Sequence, residues 1–137
     1  MEQISNKHGF TIMEILVVVI IVGIIAGFAI PNYGKSVEQG YLQDAMIQLS
    51  AIRSANQLYY AKTSTYWPPT SDRYVSAINT SLSLNIIENG LAYECDPGGV
   101  VNQTFTCTAT RTGGAFTVTV DEAPLSTTNP DCSGSCP

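Results

Sequence analysis

One carboxylate stands alone in a long apolar stretch near the start of the chain. From Phe10 to Ile30 the sequence runs FTIMEILVVVIIVGIIAGFAI, and Glu14 is its only charged residue. At about 1.5 Å of rise per residue, a helix of this length can cross a hydrocarbon layer of about 30 Å. Because an ionised acid is costly inside a bilayer, Glu14 indicates either a partner for its charge or a function.

Four cysteines are the second group with distinctive chemistry, and all lie between residues 95 and 136. This placement, in a segment rich in Thr, Ser, Asn and Gly, is typical of a domain exposed to an oxidising space. Four cysteines allow three pairings, and we favour Cys95 with Cys107 and Cys132 with Cys136, because each pair brackets a Gly-containing turn. The C-x3-C spacing is not a usual zinc spacing, so a zinc site is not favoured.

Residues for other kinds of chemistry are few. Asp121, Glu122 and Asp131 could offer oxygen ligands to Ca²⁺, but they lack the alternating spacing of a calcium loop and are better explained as solvated acids. The only histidine is His8, and the sequence has no G-x-S-x-G elbow and no phosphate-binding loop. We therefore expect no catalytic residue, no metal site, no cofactor and no enzymatic activity.

Length and charge restrict the function further. The chain has 137 residues, so the part that follows the apolar stretch suffices for one small domain. Its net charge is −5, and its six Lys and Arg residues are scattered singly. Because no basic stripe is available to neutralise phosphates, direct nucleic-acid binding is not expected.

The apolar stretch continues into a second helical segment. Pro31 is expected to kink the helix rather than to end it. Beyond it, apolar residues recur at spacings of three, four and seven as far as Tyr59, which indicates an amphipathic helix with one face on a core. We predict a helix from Phe10 to about Ala61. The following TSTYWPPTSD ends it, and its aromatic residues are expected to pack under the loop.

The last part of the chain has the pattern of strands. Segments 91–95, 104–112 and 115–122 alternate apolar and polar residues, and Gly113 with Gly114 marks a tight hairpin. One face of that hairpin can lie on the amphipathic helix. From Ala123 onward we predict a surface loop closed by its own cysteines. The fold class is therefore α+β, with a long kinked helix packed on a small antiparallel sheet.

The N-terminal pattern resembles the class III signal of type IV pilins and of the related secretion pseudopilins. The resemblance covers about residues 7–33 and rests on Lys7, Gly9, Phe10, Thr11, Glu14, the apolar run and Pro31. It implies a leader peptide, residues 1–9, that a prepilin peptidase removes between Gly9 and Phe10. The new amine of Phe10 would then be methylated.

The resemblance also implies a division of the chain. Residues 10–31 would form the membrane and assembly helix, and residues 32–137 a globular head. The head would consist of an amphipathic helix (32–61), a loop (62–90), the sheet (91–122) and a C-terminal loop (123–137). Pilins commonly join the sheet to the tail by a disulfide, so pairing of Cys107 with Cys132 and of Cys95 with Cys136 is the rival connectivity.

The implied function is structural. Precursors would wait in the bacterial inner membrane as single-pass proteins, with the C-terminal domain outside the cytoplasm. An assembly platform and a separate ATPase would pull them into a helical filament with bundled N-terminal helices at its core. In that core, Glu14 of one subunit would pair with the Phe10 ammonium of a neighbour and so select the register. Gly23 and Gly27 would allow close helix approach.

Three interpretations stay open. The first is a pilus-like surface filament for adhesion, motility or DNA uptake. The second is a pseudopilin of a type II secretion system, which would stay in the periplasm; the missing calcium loop argues against the major pseudopilin, and Glu14 argues against a tip subunit. The third is a non-polymerising, single-span binding or sensor domain.

Overall fold

A computed structural model describes residues 9–68, 73–97, 104–123 and 129–137, without the side chains of residues 31 and 32. The elements, in chain order, are α1 (Ile12–Thr63), α2 (Val75–Leu82), β1 (Leu91–Pro97), β2 (Phe105–Arg111), β3 (Phe116–Asp121) and β4 (Asp131–Gly134). The chain divides into two compact units, an N-terminal unit (Met1–Val37) and a C-terminal unit (Glu38–Pro137), and α1 has residues in both.

The long helix is confirmed, and its bounds differ from the predicted ones by two residues at each end. Pro31 lies inside α1, so the helix continues past it. The kink at Pro31 stays a prediction. Glu14 in the first turn and Lys62 in the last turn complement the helix dipole, since the N-terminal end favours negative and the C-terminal end positive charge. Of the two prolines expected to end the helix, Pro69 lies outside the described residues.

The sheet is an antiparallel meander with the strand order β1-β2-β3-β4. Cys95 pairs with Cys107 across β1 and β2, and Val118 pairs with Cys132 across β3 and β4. The predicted hairpin between β2 and β3 is confirmed. Gly113 and Gly114 have φ angles of 100° and 76°, which glycine adopts without steric cost, and the Gly114 N–H donates to the carbonyl of Arg111 at 2.8 Å.

The tail contains regular structure that the sequence does not predict. A surface loop from Ala123 onward is wrong for Asp131–Gly134, which form the edge strand β4 beside β3. This strand is four residues long and largely exposed, so it has no apolar and polar alternation. Its order comes from backbone pairing with β3, which side-chain patterns do not report. Residues 124–128 lie outside the described part of the chain.

The core of the C-terminal unit forms where α1 meets the sheet. From α1, Ala45, Leu49 and Ile52 are fully buried, and α2 adds Ile78 and Leu82. The predicted apolar face of the hairpin is buried in full; it consists of Phe105, Cys107, Ala109, Phe116, Val118 and Val120. The packing of the amphipathic half of the helix on this face is thereby confirmed.

Side-chain amides fix the irregular chain between α1 and β1. The amide of Asn56 accepts from the Trp67 N–H at 2.8 Å and donates to the Trp67 carbonyl at 2.7 Å. Asn79 in α2 makes the same pair of bonds with Ile86, at 2.7 and 3.0 Å. Where the sequence predicts a loop over residues 62–90, the structure therefore has the two-turn helix α2 and backbone held by side-chain amides.

The aromatic cluster at the end of α1 packs as predicted. Tyr66 stacks on Tyr60 with ring centroids 4.4 Å apart, and its other contact is Phe105 of β2 at 5.0 Å. Trp67 is 4% exposed and belongs to the core. Trp67 and the partly buried Tyr66 thus pack on the core of the C-terminal unit.

Candidate functional site

The carboxylate of Glu14 is bound by its own chain. Its Oε2 accepts a hydrogen bond from the backbone N–H of Thr11 at 2.9 Å and another from the Thr11 hydroxyl at 2.9 Å. In return, the backbone N–H of Glu14 donates to the Thr11 hydroxyl oxygen at 3.2 Å. This reciprocal arrangement is a capping box, in which the first and fourth residues satisfy N–H groups that the helix leaves unpaired at its start.

Sequence reasoning missed this local role of Glu14. The signal was present, because Thr11-Ile12-Met13-Glu14 fits the pattern of Ser or Thr followed three residues later by an acid, just before an apolar run. The capping box gives the acid a partner in the isolated chain. The predicted pairing with the Phe10 ammonium of a neighbouring subunit therefore stays a prediction, and that ammonium would compete with Thr11 for the carboxylate.

The predicted cleavage position lies before the helix. Gly9 and Phe10 are exposed and precede α1, which begins at Ile12. Residues 1–8 of the predicted leader lie outside the described residues. Both residues lie outside the helix and are exposed, so a peptidase can reach the bond between them. Cleavage and methylation there stay predictions.

The N-terminal half of α1 presents an unpacked apolar surface. Phe10 is 82% exposed, and the large apolar side chains from Ile12 to Ile30 are half exposed or more. Among the described residues, α1 is the helix that is long and apolar enough to cross a membrane, by length and composition. A Cβ added at Gly23 or Gly27 would meet nothing within 4 Å, so the close helix approach expected there would involve another molecule.

Comparison with known proteins gives matches to this N-terminal region and beyond it. Residues 4–30 match the family model of the prokaryotic N-terminal methylation motif. The chain is 35% identical over 80 residues to the type II secretion system core protein G of Vibrio cholerae serotype O1, covering 58% of this chain and 53% of that protein. The part of the chain that these matches cover is therefore similar to type IV pilins and to type II secretion pseudopilins.

Two further proteins match the same part of the chain. The core protein G of Klebsiella pneumoniae is 31% identical over 74 residues, covering 54% of this chain and 51% of that protein. The type IV major pilin protein PilA of Myxococcus xanthus is 34% identical over 61 residues, covering 44% of this chain and 28% of that protein. The chain thus spans about half the length of the secretion proteins it matches.

The four cysteines of the chain form two disulfides. Cys95 is joined to Cys107, and Cys132 is joined to Cys136. This is the pairing that the sequence favours over the rival connectivity. Cys95 and Cys107 are directly opposite each other in the register of β1 and β2, with Cα atoms 4.0 Å apart, and both are fully buried. The second bridge closes a short, largely exposed loop in the tail.

The acids considered for Ca²⁺ bond to N–H groups. Asp121 Oδ1 accepts from the Asn129 amide at 2.8 Å and from the Ala123 N–H at 2.9 Å. Glu122 Oε2 accepts from the Phe105 N–H at 3.3 Å. Asp131 is exposed on β4. Within the described ranges, no cluster of three His, Cys, Asp or Glu side chains could hold a metal ion.

Proposed function

We propose that this chain is a structural subunit of a filament, processed between Gly9 and Phe10 and polymerised through its N-terminal helix. The observation that carries the proposal is the exposed apolar surface of α1 between Ile12 and Ile30. None of these residues belongs to the hydrophobic core of the C-terminal unit. Such a surface is stable in lipid or against other helices of its kind. A polymer of helices covers it when the subunit leaves the membrane.

The proposed route starts at the membrane. The α1 segment would anchor the precursor in the inner membrane, and the two disulfides suit a C-terminal unit located outside the cytoplasm. A prepilin peptidase would remove the leader. Since the sequence contains no phosphate-binding loop, the energy for assembly would come from a separate ATPase acting through an assembly platform.

The two filament types are supported to different degrees. A pilus-like surface filament is the first interpretation of the sequence, and the similarity to PilA of Myxococcus xanthus supports it. The matches to type II secretion core protein G are longer and more numerous, so the relatives' names favour a secretion pseudopilin. Both types share the same proposed chemistry at Phe10 and Glu14.

Mass spectrometry of the protein extracted from its native membrane tests the processing step. We expect loss of residues 1–9 and one added methyl group on the Phe10 amine. Gly9→Val should block cleavage and leave the precursor in the membrane. A full-length chain with an intact leader in wild-type cells would contradict the proposal and favour the anchored binding or sensor domain.

Mechanical shearing of cells distinguishes the two filament types. A pilus subunit should appear in the sheared surface fraction. A pseudopilin should be processed equally well and yet stay with the cell envelope, and deleting it should stop secretion of exoproteins. A processed chain that never crosslinks to copies of itself in either fraction would contradict polymerisation.

A further inference from the structure

A buried arginine faces the connection that leaves the sheet after β3. Arg53 of α1 is 7% exposed. Its Nε donates to the carbonyl of Asp121 at 3.1 Å, and its Nη2 donates to the carbonyls of Glu122 at 3.2 Å and Ala123 at 2.5 Å. Three consecutive carbonyl oxygens therefore converge on one guanidinium.

The carboxylates of Asp121 and Glu122 do not bond to the Arg53 guanidinium. The Asp121 carboxylate bonds to the Ala123 N–H and to the Asn129 amide, and the Glu122 carboxylate bonds to the Phe105 N–H. Within the described residues, ion pairs are formed by Arg73 and Arg111 and none by Arg53. Arg53 thus donates to backbone carbonyls, while the two carboxylates accept hydrogen bonds from other N–H groups nearby.

Convergent carbonyls are a ligand arrangement in need of a positive partner. Carbonyl and carboxylate oxygens that point to one place repel each other, and proteins often resolve this with a hard divalent cation such as Ca²⁺. A guanidinium can also bind such oxygens, because it carries a permanent charge and a fixed fork of N–H donors that reaches several oxygens at once. Here the cation is a side chain of α1, so it cannot dissociate as a metal ion can.

We propose that Arg53 is the internal cation of the turn at Asp121, Glu122 and Ala123, where its guanidinium takes the place that a bound divalent metal ion could otherwise occupy. Arg53 is a positioning residue: it fixes the backbone of Asp121, Glu122 and Ala123, and Asn129 then bonds to both ends of this turn through Asp121 and Ala123. Because β4 begins at Asp131, two residues after Asn129, we expect the position of the edge strand to depend on this arrangement. The role does not rest on the proposed function.

The wild-type chain provides the first test. Its thermal unfolding in detergent micelles would be followed by near-ultraviolet circular dichroism, with a chelator or with millimolar CaCl2. We expect the same midpoint in both solutions, because the cation is built in. A midpoint that is higher with Ca²⁺ than with the chelator would overturn the proposal for Arg53. That result would not bear on the proposed assembly into a filament.

Removing the side chain provides the second test. Arg53→Ala should lower the midpoint by about 5–10 °C or abolish folding, since three buried carbonyls lose their donor. Arg53→Lys should recover only part of the loss, because an ammonium cannot reach three oxygens in a fork. Arg73→Ala, which removes an exposed ion pair with Asp96, is the matched control and should change little.

Chemical rescue separates a cation from a simple packing role. Millimolar guanidinium should raise the midpoint of Arg53→Ala and lower or leave unchanged that of the wild type. Urea, which has a similar size and shape and no charge, should not rescue the variant. Equal rescue by urea, or an Arg53→Ala midpoint equal to that of Arg73→Ala, would contradict the assigned role.

Discussion

Glu38 at the start of the C-terminal unit accepts two hydrogen bonds from Arg111, which lies 73 residues later. The Arg111 Nε reaches Glu38 Oε2 at 3.1 Å, and its Nη2 reaches Oε1 at 3.2 Å. The same guanidinium donates to the Gly90 carbonyl at 2.7 Å and lies 3.7 Å from the centre of the Tyr41 ring. Hydrogen bonding to Glu38 raises the pKa of Arg111. The charged guanidinium thus joins α1 to the C-terminal end of β2.

Substitution of Arg111 should therefore destabilise the C-terminal unit. Arg111→Ala loses the two-pronged ion pair, the bond to Gly90 and the stacking on Tyr41 together. Arg111→Lys keeps the charge, loses the fork, and should fall between wild type and Arg111→Ala in the midpoint of thermal unfolding. Arg73→Ala is again the control, and a midpoint for Arg111→Ala as high as this control would contradict the role.

Substitution of Gly90 tests the contact between Arg111 and Tyr41 without changing either residue. The φ of Gly90 is +70°, and a Cβ there would lie 2.7 Å from Arg111 Nη1 and 3.2 Å from the Tyr41 ring. Gly90→Ala should thus displace Arg111 and lower the midpoint in the same direction. Gly113→Ala shares the positive φ but meets nothing within 4 Å, so it separates backbone strain from loss of the contact.

The sequence predicts those parts of the fold that repeat a pattern. The helix, the three longer strands and the buried face of the hairpin follow from periodicity and from the two glycines at 113 and 114. It does not predict the roles of Asn56, Asn79 or Arg53, because these residue types are typical of solvated surfaces. Their partners are backbone groups of irregular chain, and those of Arg53 lie about 70 residues later. The edge strand β4 is not predicted either, because its order comes from backbone pairing with β3.

The candidate site divides in the same way. Gly9, Phe10 and Glu14 are recognisable because their types and spacing are unusual in an apolar run. The contact between Thr11 and Glu14 is local and could be predicted from the capping pattern. A contact with a second subunit depends on geometry that one chain does not contain, so the Phe10 and Glu14 pair needs an experiment.

Asn56 should be one of the most sensitive polar positions. Its amide is fully buried and satisfies both backbone groups of Trp67. Asn56→Ala would leave a buried N–H and a buried carbonyl without partners and should cost about 2–4 kcal/mol of unfolding free energy. Chemical denaturation followed by the fluorescence of Trp67, the only tryptophan, measures this directly. Asn85→Ala, at an exposed position, should have no comparable effect.

Tyr93 should make the C-terminal unit sensitive to alkali. Its hydroxyl is buried and has no hydrogen-bond partner in the described part of the chain. Burial, together with the negative charges of Asp44 and Glu88, raises the pKa of Tyr93. The folded state therefore holds the neutral phenol, while the unfolded chain ionises near its ordinary pKa of about 10. The resulting stability is present below about pH 10 and is lost as the pH rises above it.

Tyr93→Phe removes the buried hydroxyl and this source of pH dependence. At neutral pH we expect the variant to be as stable as the wild type or more stable by up to about 1 kcal/mol. Its loss of stability between neutral pH and about pH 11 should be smaller than that of the wild type. Tyr74→Phe is the control, because Tyr74 is 64% exposed. Destabilisation at neutral pH would show that the hydroxyl has a bonding partner.

The two disulfides should differ in accessibility and in effect. Cys95 and Cys107 are buried, whereas Cys136 is exposed, so limited reduction followed by alkylation should label Cys132 and Cys136 first. Replacing Cys95 and Cys107 by Ala opens a loop of 12 residues and should cost about 3 kcal/mol; the tail pair, separated by 4, should cost less. Peptide mapping that joins Cys107 to Cys132 would contradict this pairing and support the rival one.

Glu14 has two candidate roles that a matched set of variants can separate. Glu14→Ala removes both the capping bond to Thr11 and the charge. Glu14→Gln keeps a side chain that can accept from the Thr11 N–H, since Gln also serves in capping boxes, but its neutral amide cannot form an ion pair with an ammonium. Thr11→Val keeps the acid and removes the hydroxyl that Glu14 contacts.

If the charge selects the register, Glu14→Gln should reduce filament yield as strongly as Glu14→Ala, by about tenfold or more, while Thr11→Val changes it little. Quantitative immunoblots of the filament fraction measure yield, and leader removal in the membrane fraction shows that each variant inserts and is processed. Should Glu14→Gln assemble normally while Thr11→Val fails, the capping box would be the role of this acid. A neutral amide would then suffice in the filament core, and the ion pair with Phe10 would be abandoned.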